Sequence, residues 1–254
     1  MMVLLGKLTS LKHLCLYTPY TTESLGFDGF KYLVKGLNNF NEAGGRLHKL
    51  TVVRTELGIN SKYEEKFGQA LRIIGGDSLR SISLKALHVS KGMATSLAKL
   101  LSDNKRIIEL DLTNCQLGIN EVKEVADGLM RAKQLQRICL ANNPQMDYGV
   151  NYILYNLAFS PKIAYIDISG ISVSQRQVET VEALYKLVKI SGSLETLVLN
   201  RTNIVPHLSR DFWKAMGENP TLRHLYLDME SGSFSQTAVV GRFVGFNAYK
   251  KGSL

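Results

Sequence analysis

Glu109 and Asp111 stand two residues apart, and Tyr165 and Asp167 repeat that spacing further along the chain. In an extended segment, residues two apart point to the same side, so each pair presents its groups on one surface. Carboxylates arranged this way accept Lys or Arg side chains from a protein partner, and Tyr165 and Tyr226 would serve as aromatic anchors. Arg137 and Asp228 belong to the same set. The competing reading is a lateral Glu109–Arg137 pair with both aspartates facing water.

Residue types that support catalysis are present without the spacing that catalysis needs. The chain has no GxxxxGK[ST] loop and no GxGxxG opening a helix after a strand, so nothing cradles a nucleotide. It has no GxSxG elbow, and no Ser-His-Asp trio can be placed by spacing. His13, His48, His88, His207 and His224 form neither HExxH nor a metal-like cluster. Cys15, Cys115 and Cys139 lie far apart with no CxxC, which suits a reducing compartment and argues against zinc or a disulfide framework. We therefore expect no catalytic residues, no cofactor, no metal and no small-molecule substrate. Asn200-Arg201-Thr202 matches a glycosylation sequon, read as coincidence in a chain without secretion signals.

The 254 residues carry 31 Lys+Arg against 22 Asp+Glu, a formal +9. Residues 1–127 hold 17 basic and 13 acidic residues and residues 128–254 hold 14 and 9, so the excess is spread evenly. No segment approaches the roughly 20 consecutive apolar residues that span a bilayer. Lys7 and Lys12 interrupt the apolar opening, which reads as folded protein and not as a signal peptide. The expected location is cytoplasmic, with no membrane insertion.

The elements that must position these residues come from a repeat. LKHLCL at 11–16, LHKLTV at 47–52, LRSISL at 79–84, IIELDL at 107–112 and LQRICL at 135–140 share one pattern. IAYIDI at 163–168, LETLVL at 194–199 and LRHLYL at 222–227 continue it. The openings at 11, 47, 79, 107, 135, 163, 194 and 222 are separated by 36, 32, 28, 28, 28, 31 and 28 residues. The alternating LxL is a short strand, and the second half of each unit has helical spacing. Val122, Val125 and Leu129 share one face in the fourth repeat, and Val178, Val181 and Leu184 are read as one face in the sixth. One strand and one helix cannot bury such faces alone, whereas stacked copies make a continuous core.

This pattern, followed by Cys115 or Asn143 in the turn, resembles the leucine-rich repeat, and its 28-residue period resembles the ribonuclease-inhibitor subtype. The resemblance implies an α/β fold, a right-handed leucine-rich-repeat solenoid or horseshoe, with parallel strands on the concave face and helices on the convex face. It implies one domain over 1–254, of about eight repeats. Leu254 falls where a ninth strand would open, so the chain is expected to be a fragment of a longer solenoid. Pro19, Thr55, Leu87, Ile171, Thr202 and Glu230 depart from the family's Cys/Asn preference, and an irregular turn is expected in those repeats.

The second, fourth and sixth positions after each opening residue face outward from the strands. These rows contain Lys49, Lys85 and Arg137 against Glu109, Asp111, Asp167 and Asp228, a net −1. The +9 therefore belongs to the rim and the helices, and a phosphate backbone along the concave sheet is disfavoured. The expected function is a non-catalytic protein–protein interaction scaffold using the concave face. The resemblance implies settings such as the capping-protein linker family of actin regulators, hence cytoskeletal regulation. One alternative is a GTPase-activating module, as in the similar Ran GTPase-activating proteins, with Arg54 or Arg201 as rim arginines. A second is a basic nucleic-acid-binding surface on the rim or convex side.

Overall fold

The computed structural model describes residues 2–17, 26–53, 61–173 and 177–227. Eight parallel strands follow one another in chain order in one sheet: β1 (His13–Tyr17), β2 (Lys49–Val53), β3 (Ser81–Lys85), β4 (Glu109–Asp111), β5 (Arg137–Cys139), β6 (Tyr165–Asp167), β7 (Thr196–Val198) and β8 (His224–Tyr226). A helix lies between each successive pair: α1 (Gly26–Glu42), α2 (Ser61–Gly75), α3 (Lys91–Asp103), α4 (Ile119–Leu129), α5 (Val150–Ala158), α6 (Gln177–Ile190) and α7 (Arg210–Glu218). Each strand–helix crossover returns the chain beside its predecessor, one repeat further on. Parallel strands sit about 4.8 Å apart, whereas packed helices need about 8–10 Å. A sheet on one side and helices on the other must therefore curve, with the sheet inside.

The register is fixed by the buried half of each strand. Leu50, Ile82, Leu110, Ile138, Ile166 and Leu197 are partners on successive strands and are fully buried. A one-residue slip would turn this row to solvent. The helices complete the core with Leu33, Leu37 and Phe40 in α1, Phe67 and Leu71 in α2, and Val122, Val125 and Leu129 in α4.

In α6 the inward face differs from the one expected. Ala183, Leu184, Leu187 and Val188 are buried, whereas Val178 is 77% exposed. Val178 and Leu184 are six residues apart, about 240° around a helix of 3.6 residues per turn, and so cannot share a face.

Among the described residues, the turns after β3 to β7 share one backbone feature. The seventh residue after each opening residue is left-handed in five consecutive repeats: Ala86, Asn114, Asn142, Gly170 and Arg201 have φ of 54°, 56°, 58°, 70° and 54°. Leu87 and Ile171, which follow two of these, are fully buried. Thr202 donates from Oγ1 to Leu199 O at 2.7 Å. Apolar or hydroxyl residues thus occupy the Cys/Asn position without changing the conformation of the residue before it, whereas the residue after it is left-handed only at Gln116 and Asn203, with φ of 53° and 54°. Pro19, Thr55, Glu230 and the expected ninth opening at Leu254 lie outside the described residues.

Candidate functional site: the sheet face

Strand pairing brings the outward residues into rows. His13, Lys49, Ser81, Glu109, Arg137, Tyr165, Thr196 and His224 are successive register partners. Cys15, Thr51, Ser83, Asp111, Cys139, Asp167, Val198 and Tyr226 form the next row.

In the first row, polar contacts run across four strands. Ser81 Oγ donates to Glu109 Oε2 at 2.7 Å. The other carboxylate oxygen of Glu109 lies 3.7 Å from Arg137 Nε. The Arg137 guanidinium in turn sits 3.5 Å from the centre of the Tyr165 ring, a cation–π contact that keeps its charge and flat face partly exposed. Burial, followed by the Asp167 charge, pushes the Tyr165 hydroxyl pKa up, so the phenol stays protonated.

Asp111 is not an open acceptor. It is 6% exposed, with Oδ2 2.8 Å from Lys85 Nζ. Its other oxygen accepts from Thr113 N at 3.1 Å and Thr113 Oγ1 at 2.7 Å. The hydrogen bond to Asp111 raises the Lys85 pKa. A partner's Lys or Arg could claim Asp111 only by displacing Lys85. Asp167 is more accessible, and its Oδ1 accepts from Ser169 N at 2.9 Å. Tyr226 is 50% exposed and stacks near His224, with ring centres 6.4 Å apart. Asp228 and Arg54 lie outside the described residues. Arg201 donates to Asn142 Oδ1 at 3.1 Å, tying two rim turns together.

Sequence reasoning missed the partners Lys85, Ser81 and Thr113, although all three already stood in the outward rows with Asp111 and Glu109. It also missed an asparagine device at the opposite turn. Asn104 and Asn219 stand three residues before their repeat openings. Asn104 Nδ2 donates to Leu79 O at 3.0 Å, and its Oδ1 accepts from Ile107 N at 3.0 Å. Asn219 does likewise with Ser191 O at 3.1 Å and Leu222 N at 2.8 Å. The shared offset from the openings was the available signal.

The three cysteines are free. Burial is the main cause that pushes the Cys115 thiol up to about 12 and the Cys139 thiol up to about 11, while Cys15 is exposed. Since the thiolate is the nucleophile, a colorimetric thiol titration of the native chain near neutral pH is expected to show one fast-reacting thiol, Cys15. Cys115 and Cys139 should react only on unfolding. Three equally fast thiols would contradict the burial. Among the described residues, no group of three or more His, Cys, Asp or Glu could hold a metal ion. Among them too, no helix is long and apolar enough to cross a membrane.

No family model matches the chain. Human NACHT, LRR and PYD domains-containing protein 7 is 28% identical to it over 116 residues, 45% of this chain and 12% of that protein. The match thus spans a small fraction of the relative's length. The tropomodulin C-terminal domain from Caenorhabditis elegans superposes with a TM-score of 0.53 at 14% identity, covering 62% of this chain and 94% of that one. At that identity the likeness concerns the fold alone. The leucine-rich repeat-containing protein LegL7 from Legionella pneumophila gives a TM-score of 0.33 at 14% identity over 92% of this chain and 98% of that one.

Proposed function

Because this chain is a leucine-rich-repeat protein, we propose that its repeats act as one domain over 1–254, of the ribonuclease-inhibitor-like subtype. Its sheet face is then a non-catalytic docking surface for another protein. The observation that carries this reading is the linked row Ser81–Glu109–Arg137–Tyr165 on four adjacent strands. Side chains already held by their neighbours lose less rotamer freedom when a partner docks, so more of the contact energy appears as affinity. Arg137 and Tyr226 offer the exposed guanidinium and aromatic surface typical of binding hot spots, with Glu109, Tyr165, Asp167 and Asp228 around them and Asp111 held in support. On this reading the scaffold works in cytoskeletal regulation, within the cytoplasm, a setting that the family resemblance supports.

The test is quantitative affinity capture with the wild-type chain and with the double variant Arg137→Ala/Tyr226→Ala. A partner retained by the wild type should lose about tenfold or more in affinity for the variant. Retention of every captured protein at unchanged affinity would remove the sheet face from consideration.

A further inference from the structure

Six cationic or protonatable side chains crowd the edge of the sheet where the first four strands begin, and the scaffold reading does not use them. Lys12, His48 and Arg80 each occupy the position after a repeat opening. They are stitched together by His48 N donating to Lys12 O at 2.7 Å and Arg80 N donating to His48 O at 2.8 Å. His13 and Lys49 are register partners on the adjoining row. Arg106 precedes β4, whose first outward residue is Glu109. Lys12, His13, Lys49, Arg80 and Arg106 are exposed and His48 is half-buried.

Among the described residues, none of the six makes an ion pair. Some cations elsewhere are engaged: Lys85 pairs with Asp111, Arg137 lies by Glu109 and over Tyr165, Arg72 pairs with Asp103, and Lys123 and Lys186 lie over aromatic rings of the helix layer. Others among the described residues, such as Arg46, Lys91, Lys133 and Lys214, are exposed without an ion pair, so what distinguishes this rim is the grouping of six such side chains at the start of four adjoining strands. Like charges held together without counter-ions repel one another, and the repulsion is relieved when an anion binds.

We infer that this rim, Lys12, His13, His48, Lys49, Arg80 and Arg106, is a docking site for an acidic segment of a partner protein. The size and composition of the cluster favour a peptide over a nucleic acid. From the first strand to the fourth it spans about 15 Å, enough for a few carboxylates on an extended peptide. It carries no Phe, Tyr or Trp on which bases could stack. A proton-linked signature accompanies the site. Desolvation lowers the His48 pKa, and Lys12, Arg80, His13 and Arg106 lower it further by their charge. A carboxylate placed among them acts in the opposite direction and raises it.

The test uses the whole chain with two probes at low salt: a synthetic oligo-glutamate peptide and a single-stranded oligothymidylate. Expected is salt-sensitive binding of the peptide, weakened about tenfold or more by Lys49→Glu/Arg80→Glu. It should be unchanged by Lys91→Glu/Lys214→Glu, which alters net charge equally on exposed residues of α3 and α7. In the wild type, the peptide should also raise the His48 titration midpoint followed by proton NMR, a readout that needs no variant. Three results would each overturn the proposal. They are equal weakening by both double variants, binding of the oligonucleotide but not the peptide, and no binding of either probe with His48 unmoved. The variants share no residue with the Arg137/Tyr226 pair, so failure here and failure of the scaffold reading are separately visible.

Discussion

Asn143→Leu is expected to lower the unfolding free energy by about 4 kcal/mol, at the upper end of single-residue effects. Asn143 is fully buried. Its Oδ1 accepts from Cys115 N at 2.8 Å and Leu117 N at 3.2 Å. Its Nδ2 donates to Leu112 O at 2.8 Å and Leu140 O at 2.7 Å. Four backbone groups in the turns of two repeats thus depend on one amide, and leucine has nearly its size without its polar atoms. Each buried group left unpaired costs about 1–3 kcal/mol, and relaxation of the turns recovers part of the total. Asn143→Thr should cost about half as much, because Thr202 fills the equivalent position by donating to a single carbonyl. Urea unfolding measures both. A loss below about 1 kcal/mol for Asn143→Leu would mean that water replaces the amide. The damage should be local as well, with faster amide exchange in residues 112–117, because each repeat in such an array leans only on its neighbours.

Asn143 was legible in the sequence and Asn104 was not. The turn after the strand is announced by LxL alternation, so a polar residue at a fixed distance beyond it stands out. The turn after the helix is located only by the opening that follows it, and of the residues three places before an opening only Asn104 and Asn219 are asparagine, so the signal is faint. Val178 has a spacing to Val181 that suits a helix, but its phase relative to the sheet is set by Ala183, Leu184, Leu187 and Val188. Strand register was the most legible feature, since period two allows only one buried row. Which outward side chains bind one another was the least legible. Lys85 and Asp111 belong to different rows of adjacent strands, and their contact depends on the lysine's length and not on sequence spacing. That contact turns Asp111 from an offered carboxylate into part of the scaffold. The same accounting leaves the rim before β1–β4 with charge that nothing in the described residues neutralises.

Gly128→Ala is expected to destabilise by about 2 kcal/mol, although alanine is the better helix former by about 1 kcal/mol. Gly128 lies in α4 against the backbone of α3. A Cβ there would fall 2.6 Å from Ala98 Cα and 2.8 Å from Ala98 O. Backbone cannot rotate out of the way as a flexible side chain can, so the two helices must separate. Gly68, where a Cβ would lie 2.7 Å from Ser96 Cβ, makes the corresponding approach between α2 and α3. Gly76 is the control. A Cβ there meets only Ile73 O at 3.8 Å, so Gly76→Ala should be neutral or slightly stabilising through the unfolded state. Thermal or urea unfolding of the two variants gives the comparison, and a Gly128→Ala chain as stable as the wild type would show that α3 and α4 pack more loosely than this contact implies. The consequence reaches the opposite side of the molecule. The hydrogen-bonded strands hold their spacing, so separating α3 from α4 opens a wedge that bends the sheet more sharply between β3 and β4. That junction is bridged by Ser81–Glu109 at 2.7 Å and Lys85–Asp111 at 2.8 Å. Partner affinity at the sheet face should therefore fall in Gly128→Ala under conditions where it remains folded, with no contact residue changed.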